Sequence, residues 1–173
     1  MTRRFALIAT VATLVLSNPA AAQTVILVRH AEKADQSADP VLSEAGQARA
    51  EALASRLSAS SVDLILTSPL QRTGLTATPV AEANGLQLQV VSLEGGTQAH
   101  VAAVVERIRA QPEDATVLVV GHSNTIPLIA RALGQSAPDM TDCEYDRLMT
   151  IQLEGQGVFG VTTRYGARSD CSA

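Results

Sequence analysis

Tryptophan is absent from the 173 residues of this chain, and tyrosine and phenylalanine occur only twice each. So low an aromatic content argues against a surface on which nucleobases or sugars stack. Lysine is nearly absent too, since Lys33 is the only one, and the formal net charge is −4. A negative chain does not favour nucleic acid or an anionic membrane as a partner. The remaining basic residues are arginines, whose planar guanidinium suits two-pronged contact with phosphate or carboxylate.

The first residues have the layout of a secretory signal peptide. Arg3 and Arg4 form a basic start, residues 5–16 are apolar, and alanines fill positions 20–22 as a small-residue cleavage site. The apolar stretch is short for a bilayer span, although an uncleaved anchor is the alternative. We therefore expect cleavage after Ala22 and a periplasmic or secreted location. Residues 23–173 are expected to fold as a single domain without stable membrane insertion.

Cysteine is almost as scarce, because the chain has only Cys143 and Cys171. An even count in an exported chain favours a disulfide, while two unrelated free thiols are the alternative. The bond would contribute about 3 kcal/mol in the chain-entropy model. The sequence has no CxxC motif and no Cys/His cluster with zinc spacing, so it predicts no metal site and no cofactor.

Short apolar runs alternate with helical patterns along the rest of the chain. Strands are predicted over residues 25–28, 62–66, 86–91 and 117–120, and a hairpin over residues 148–153 and 158–163. Such alternation predicts an α/β fold, a three-layer sandwich with helices on both faces of a mostly parallel sheet. The hairpin would lie at the edge of that sheet.

Four helices are predicted between these strands. Ser43 would cap the first helix, whose predicted inner face is Ala45, Ala48, Ala52, Leu53 and Leu57. Pro69 would open the second, which stops near Gly85 and is expected to kink at Pro79. The third and fourth are predicted over residues 99–108 and 126–133.

Polar side chains follow each of the first four predicted strands. They are Arg29 and His30, then Ser68 and Arg72, then Glu94, and finally His122 with Ser123 and Asn124. Because the carboxyl ends of parallel strands meet at one edge of a sheet, these residues should line one crevice. Two guanidiniums can hold the oxygens of a phosphoryl group while an imidazole attacks phosphorus.

Three motifs carry a resemblance to a known family. They are Val-Arg-His-Ala-Glu-Lys at 28–33, Thr-Ser-Pro-Leu-Gln-Arg-Thr at 67–73 with Thr76 and Ala77 after it, and Val-Gly-His-Ser-Asn-Thr at 120–125. Together they resemble the histidine phosphatase superfamily, which has the phosphoglycerate-mutase-like fold, and within it the small exported bacterial members. The resemblance runs from residue 25 to about residue 165.

The resemblance implies roles for the crevice residues. His30 would be the nucleophile that carries the phosphoryl group as a phosphohistidine, and the catalytic set would be His30, Arg29, Arg72, His122 and Glu94. Arg29, Arg72 and His122, with Ser123 and Asn124, would bind the phosphate. Glu94 would protonate the leaving group, although a solvent-facing turn residue is the alternative reading.

The chain also departs from the family pattern, and some residues have plainer explanations. Ser123 stands where the acid branch of the superfamily has an aspartate, and Ala31 stands where many members have glycine. Arg29 could form a surface ion pair with Glu32 or Asp35, His30 could be a capping side chain, and Arg72 could be a solvated helix residue. His122 could be a satisfied histidine at a helix start. His100 is expected to be structural or exposed, and the acidic group Asp139, Asp142, Glu144 and Asp146 to form a solvated loop.

The sequence therefore predicts a metal-independent exported phosphatase that hydrolyses phosphomonoesters. Its substrate could be a phosphorylated small molecule, sugar, lipid or protein, and the oligomeric state stays open. A mutase is disfavoured, because the mutases of this fold have a long insertion after the third strand that this chain lacks. The alternatives are a phosphohistidine phosphatase acting on proteins and a non-catalytic phosphate-binding module of the same fold.

Overall fold

A computed structural model describes residues 22–171. The predicted signal peptide, apart from Ala22, lies outside the described residues. Within them the chain forms six strands and four helices. In chain order they are β1 (Gln23–Arg29), α1 (Glu44–Leu57), β2 (Leu64–Thr67), α2 (Gln71–Asn84), β3 (Leu88–Val90), α3 (Gly96–Arg109), β4 (Thr116–Gly121), α4 (Ile126–Ala132), β5 (Arg147–Glu154) and β6 (Gly157–Arg164).

The strands form one mixed sheet in the order β3-β2-β4-β1-β5-β6. The four strands from β3 to β1 are parallel, while β5 is antiparallel to β1 and pairs with β6 in a hairpin. The predicted mostly parallel sheet with a C-terminal hairpin at its edge is confirmed.

Helices cover both faces of the sheet, so the predicted three-layer sandwich is confirmed as well. Successive residues of β1 point to opposite faces, which is the period-two geometry of a strand. Val25 and Leu27 pack with α3 and α4, whereas Ile26 and Val28 pack with α1 and α2. The continuous apolar runs that indicated buried strands therefore have a helix layer on each side.

The predicted inner face of α1 is wrong at its alanines. Ala45 and Ala48 are exposed and Ala52 is only half-buried, while the buried positions are Gly46, Arg49, Ala50, Leu53 and Leu57. The helix is rotated because it packs against the loop that follows β1. A side chain at Gly46 would collide with the backbone carbonyl oxygen of Glu32, and Arg49 is buried by an ion pair with the Glu32 carboxylate.

The second helix also differs from its prediction. It begins at Gln71 rather than at Pro69, with Leu70 as its N-cap, and it continues through Pro79 as far as Asn84. The Pro79 ring removes only one backbone N–H, and the hydrogen bonds on either side keep the helix in one piece. The helix ends at Gly85, as predicted, and Gly85 adopts the left-handed conformation.

A disulfide links the segment before β5 to the end of the described residues. Cys143 and Cys171 form a disulfide whose Cα atoms are 5.2 Å apart, which confirms the expected pairing. None of the helices within residues 22–171 is long and apolar enough to cross a membrane.

Candidate active site

The carboxyl ends of the four parallel strands meet at one edge of the sheet. β4 lies between β1 and β2, so the loop that carries His122 lies between the loop of Arg29 and His30 and the loop that leads to Arg72. Arg29 and Gly121 are register partners on neighbouring strands. A cavity of about 570 Å³ opens at this edge, and Arg29, His30, Arg72 and His122 all line it.

His30 is buried directly after β1. Its backbone N–H donates to the carbonyl oxygen of Gly121 at 2.9 Å, which extends the β1–β4 pairing by one residue. Its ring Nδ1 lies 2.8 Å from the carbonyl oxygen of Ala31. Because a carbonyl oxygen only accepts, Nδ1 must carry the proton in this contact, and the lone pair of a neutral ring is then on Nε2. His30 therefore has a nucleophilic nitrogen at a fixed orientation.

The His30 ring is held in its neutral form. Burial, and after it the charges of Arg29, His122 and Arg72, lower the pKa of His30 to about 3. The hydrogen bond to Ala31 opposes this shift without reversing it. Burial and the neighbouring Arg72 similarly lower the pKa of His122 to about 4. Both imidazoles are therefore neutral at neutral pH, and the two rings lie 5.3 Å apart between centroids in an edge-on arrangement.

Thr76 links the His30 loop to α2. Its hydroxyl accepts a 2.9 Å hydrogen bond from the backbone N–H of Ala31 and donates a 2.7 Å hydrogen bond to the carbonyl oxygen of Arg72. Ala31, whose carbonyl oxygen orients the His30 ring, is thus attached to the helix turn that carries Arg72.

His122 is fixed by its backbone and by its ring. Its N–H donates to the Thr125 hydroxyl at 2.9 Å, and its Nε2 lies 3.0 Å from the hydroxyl of Ser68 in the loop after β2. Ser68 in turn lies 3.0 Å from the Thr73 hydroxyl. Glycine is required before His122, because a Cβ at Gly121 would lie 2.8 Å from the Thr125 hydroxyl oxygen. The turn therefore closes tightly enough to place His122 beside His30.

Arg29 is buried, and the segment before β5 holds it. Its Nη1 donates to the carbonyl oxygens of Thr141 at 3.1 Å and Asp142 at 2.6 Å. The guanidinium carbon lies 4.1 Å from the ring centroid of Tyr145, which is a cation–π contact. The alternative prediction, a surface ion pair of Arg29 with Glu32 or Asp35, is therefore wrong, because Arg29 is buried and Glu32 pairs with Arg49.

Arg72 lies in the first turn of α2, and its side chain is only 14% exposed. Its Nη1 lies 3.5 Å from the Ala38 carbonyl oxygen and 3.8 Å from the Asp39 carboxylate. The reading of Arg72 as a solvated helix residue is wrong, because the side chain lines the cavity. Within residues 22–171, the buried Nε atoms of Arg29 and Arg72 have no hydrogen-bond partner.

Ser123 and Asn124 line the same cavity, whereas Glu94 does not. Glu94 is exposed in the turn before α3, where its backbone N–H donates to the Ser92 hydroxyl at 3.0 Å. Its neighbours Leu93, Gly96 and Thr97 do reach the cavity. Of the eight residues expected to line the crevice, six line the cavity, Ser68 lies behind His122 as its hydrogen-bond partner, and Glu94 lies outside.

The prediction that the acidic group near residue 140 forms a solvated loop is wrong for two of its four residues. Glu144 and Asp146 are buried in ion pairs with Arg147 and Arg164, whereas Asp139 and Asp142 are exposed. His100, buried in α3, has its Nδ1 3.0 Å from the Ser92 carbonyl oxygen, which fits its structural reading. Within residues 22–171 no three His, Cys, Asp or Glu side chains are grouped so that they could hold a metal ion.

Several cavity residues were not predicted as site residues, and two of them, Asp142 and Tyr145, contact predicted ones. Asp142 accepts a 2.9 Å hydrogen bond from the Ser123 hydroxyl through Oδ1, and the same oxygen lies 3.8 Å from Nη2 of Arg29. Neither residue belongs to a motif or follows a parallel strand. Their one signal is the position of Cys143 between them in a chain that has only two cysteines.

Comparison with known proteins gives a partial match to one family and a shared fold. The model of the histidine phosphatase superfamily (branch 1) matches residues 25–95. Phosphoserine phosphatase 1 of Hydrogenobacter thermophilus is 38% identical over 100 residues, which are 51% of this chain and 47% of that protein. The chain thus spans about half the length of this curated relative.

Solved structures resemble the chain over most of its length. The protein histidine phosphatase SixA, complexed with tungstate, has a TM-score of 0.65 at 22% identity and covers 84% of this chain and 96% of its own. A mycobacterial glucosyl-3-phosphoglycerate phosphatase has a TM-score of 0.60 at 17% identity and covers 84% of this chain and 99% of its own. At these identities the likeness shows the fold.

Proposed function

We propose that this chain is a phosphatase of the histidine phosphatase superfamily, whose model matches residues 25–95, and that it hydrolyses phosphomonoesters through a phosphohistidine at His30. The observation that carries the proposal is the state of His30. Its imidazole is neutral, its Nδ1 proton is directed at the Ala31 carbonyl oxygen, and it lines a cavity together with two arginines. A neutral imidazole beside two fixed cations suits attack on a phosphoryl group.

The reaction would proceed in two steps. Nε2 of His30 attacks phosphorus, and the bond to the ester oxygen breaks so that the leaving group departs with the bonding electrons. Water then attacks the phosphohistidine, the P–N bond breaks, and its electrons return to Nε2 as phosphate is released. In both steps the non-bridging oxygens are bound by Arg29, Arg72 and His122, with Ser123 and Asn124. These contacts stabilise the negative charge that the oxygens carry in the transition state.

The unpaired Nε atoms of Arg29 and Arg72 support an anionic ligand. A buried donor without an acceptor costs roughly 1–3 kcal/mol, and an oxyanion brought close by the same guanidiniums would offset part of that cost. The arginines also supply the positive charge that other phosphatases take from metal ions, so the proposed reaction needs no metal. EDTA should then leave turnover unchanged.

The proposed substrate is a phosphorylated small molecule or sugar. A cavity of about 570 Å³ lies within the usual size of small-molecule sites, which is roughly 300–1,000 Å³. Phosphoserine, the substrate named for the curated relative, is of this class. Phosphorylated lipids and proteins are the further substrates to compare, since the cavity is open at the sheet edge.

A phosphohistidine phosphatase is the second candidate, and the position of Glu94 favours it. Glu94, the residue predicted to act as the acid of the first step, is exposed outside the cavity and is not placed to donate to the leaving group. An imidazole leaves phosphorus more easily than an alkoxide does, so a phosphohistidine substrate needs that acid least.

Export is part of the proposal. The segment that resembles a signal peptide supports it, and so does the Cys143–Cys171 disulfide, since such bonds persist in oxidising compartments. The proposed mature chain is a single domain of residues 23–173. Secretion of a tagged full-length chain into the periplasm with loss of residues 1–22 would be seen by mass spectrometry.

Release of p-nitrophenol from p-nitrophenyl phosphate tests the activity, because this leaving group departs without an acid. We expect turnover in the purified protein, competitive inhibition by vanadate, and a fall of about 100-fold or more in Arg72→Lys. Arg56→Lys, an exposed arginine in the last turn of α1, is the matched control.

A chain that binds inorganic phosphate but turns over neither the aryl phosphate nor a panel of sugar phosphates and phosphohistidine would be a non-catalytic binding module. That result would overturn the proposed function.

A further inference from the structure

The hydrolysis step of the proposed reaction requires a group that removes a proton from the attacking water. His30 carries the phosphoryl group at that stage, and Nε2 of His122 is already in contact with the Ser68 hydroxyl. Among the described side chains that line the cavity, Asp142 is the sole carboxylate. We propose that Asp142 is the base that accepts the proton from the hydrolytic water, an inference that rests on the function proposed above.

The carboxylate of Asp142 is placed beside the proposed phosphoryl position. Its Oδ1 lies 3.8 Å from Nη2 of Arg29, the guanidinium that would hold a phosphoryl oxygen. The Ser123 hydroxyl donates to the same Oδ1 at 2.9 Å. Both contacts place the Asp142 carboxylate beside the guanidinium that would hold the phosphoryl group.

The segment that carries Asp142 is held at three points. Arg29 binds the carbonyl oxygens of both Thr141 and Asp142, and Cys143 is joined to Cys171. The main chain at Asp142 is therefore fixed, while its side chain is 94% exposed. An exposed carboxylate can pass its proton to solvent after each turnover.

The step balances with the groups that the site holds. The water oxygen forms a bond to phosphorus as the P–Nε2 bond breaks, and the electrons of that bond return to Nε2 of His30. One water proton moves to Oδ2 of Asp142 and is then released to bulk water. Phosphate leaves, and His30 is again neutral.

Rapid-quench kinetics with p-nitrophenyl phosphate isolate this step, because the first step releases p-nitrophenol and the second releases phosphate. In Asp142→Asn the amide oxygen can still accept from Ser123, and the backbone carbonyl that binds Arg29 is retained. We expect the first-turnover rate of p-nitrophenol release to stay within about twofold of the parent. Steady-state turnover should fall at least about tenfold, given the usual 10²–10⁴-fold value of general base catalysis.

Phosphoenzyme should accumulate in Asp142→Asn, and Asp142→Glu should restore part of the turnover. Asp139→Asn, another exposed carboxylate of the same segment, should behave like the parent. Parent-like steady-state turnover in Asp142→Asn would overturn the inference. A parallel fall of both steps would overturn it too, because Asp142 would then only position Arg29. If neither protein forms a phosphoenzyme while p-nitrophenol is released, the covalent function itself fails.

Discussion

The backbone N–H of Ala31 donates a 2.9 Å hydrogen bond to the hydroxyl oxygen of Thr76. The carbonyl oxygen of Ala31 accepts from the His30 ring, so Thr76 holds the residue whose carbonyl group orients the proposed nucleophile. The same hydroxyl donates to the carbonyl oxygen of Arg72. One buried hydroxyl thus couples the positions of His30 and Arg72.

Removing that hydroxyl should lower turnover more than it lowers stability. In Thr76→Val we expect the loss of roughly 1–3 kcal/mol of stability that an unpaired buried N–H costs. We also expect kcat to fall on the order of 10- to 100-fold, since a misplacement of about 1 Å in a reacting group can cost about 100-fold. Steady-state kinetics and urea unfolding measure the two quantities.

Thr78→Val is the matched control for this variant. Thr78 lies in the same helix and donates to the carbonyl oxygen four residues earlier, at 2.9 Å from Gly74. Thr78→Val should lose some stability but keep the parent kcat. Thr76→Ser should keep both the parent stability and the parent kcat. Equal kcat values for Thr76→Val and the parent would mean that this hydrogen bond does not position His30.

The lowered pKa values of the two histidines predict a loss of stability in acid. His30 and His122 titrate near pH 3 and 4 in the folded chain, against about 6.5 when unfolded. As pH falls below 6.5 the unfolded chain binds protons that the folded chain does not, so the free energy of unfolding decreases. Above pH 6.5 both states are neutral at these sites and the effect vanishes.

His30→Asn should reduce this acid sensitivity, because one of the two titrating groups is gone while an amide N–H remains for Ala31. The difference in unfolding free energy between pH 7.5 and pH 5 should shrink by roughly 1–2 kcal/mol relative to the parent. Urea unfolding at the two pH values measures it. An unchanged difference would show that His30 is not a buried neutral group.

The disulfide should matter for activity as well as for stability. Cys143 follows Asp142, and the carbonyl oxygens of Thr141 and Asp142 bind Arg29. The variant with Cys143→Ser and Cys171→Ser should lose about 3 kcal/mol of unfolding free energy in the chain-entropy model. Its KM should rise, because Arg29 loses rigid partners. A parent-like KM in the folded variant would mean that the segment is held without the bond.

Much of the fold and most of the proposed site are visible in the sequence because their signals are local. A β-branched apolar run that ends in Arg29 and His30 marks both a buried strand and the edge at which it ends. Gly121, directly before His122, is likewise a local signal, because a glycine there indicates a tight turn. Parallel strands then bring these separate signals together at one edge, so no knowledge of tertiary contacts is needed.

The parts that sequence reasoning missed depend on contacts between distant residues. Arg29 binds the carbonyl oxygen of Thr141, which is 112 positions later in the chain. Nothing near Thr141 marks it as a partner of the first strand. The face of α1 was misjudged for the same reason, because Gly46 and Arg49 are buried by the loop at Glu32 rather than by an apolar pattern.

Glu94 remains a prediction that comparison of two substrates can test. If Glu94 protonates the leaving group, Glu94→Gln should slow alkyl phosphates at least about tenfold more than p-nitrophenyl phosphate, because an alkoxide needs the proton and nitrophenolate does not. Its exposed position in the turn before α3 would then require that the turn approach the bound substrate. Equal small effects on both substrates would make Glu94 a turn residue only.

A phosphoryl group covalently bound to His30 is the central claim, and chemical trapping tests it directly. The parent should be quenched in alkali within the first turnovers of p-nitrophenyl phosphate and its peptides analysed by mass spectrometry. We predict one phosphopeptide that contains His30, stable in base and labile in acid, and its absence from His30→Asn, which should not turn over. Undiminished hydrolysis by His30→Asn, or a phosphoryl group found on another residue of the parent, would contradict the account.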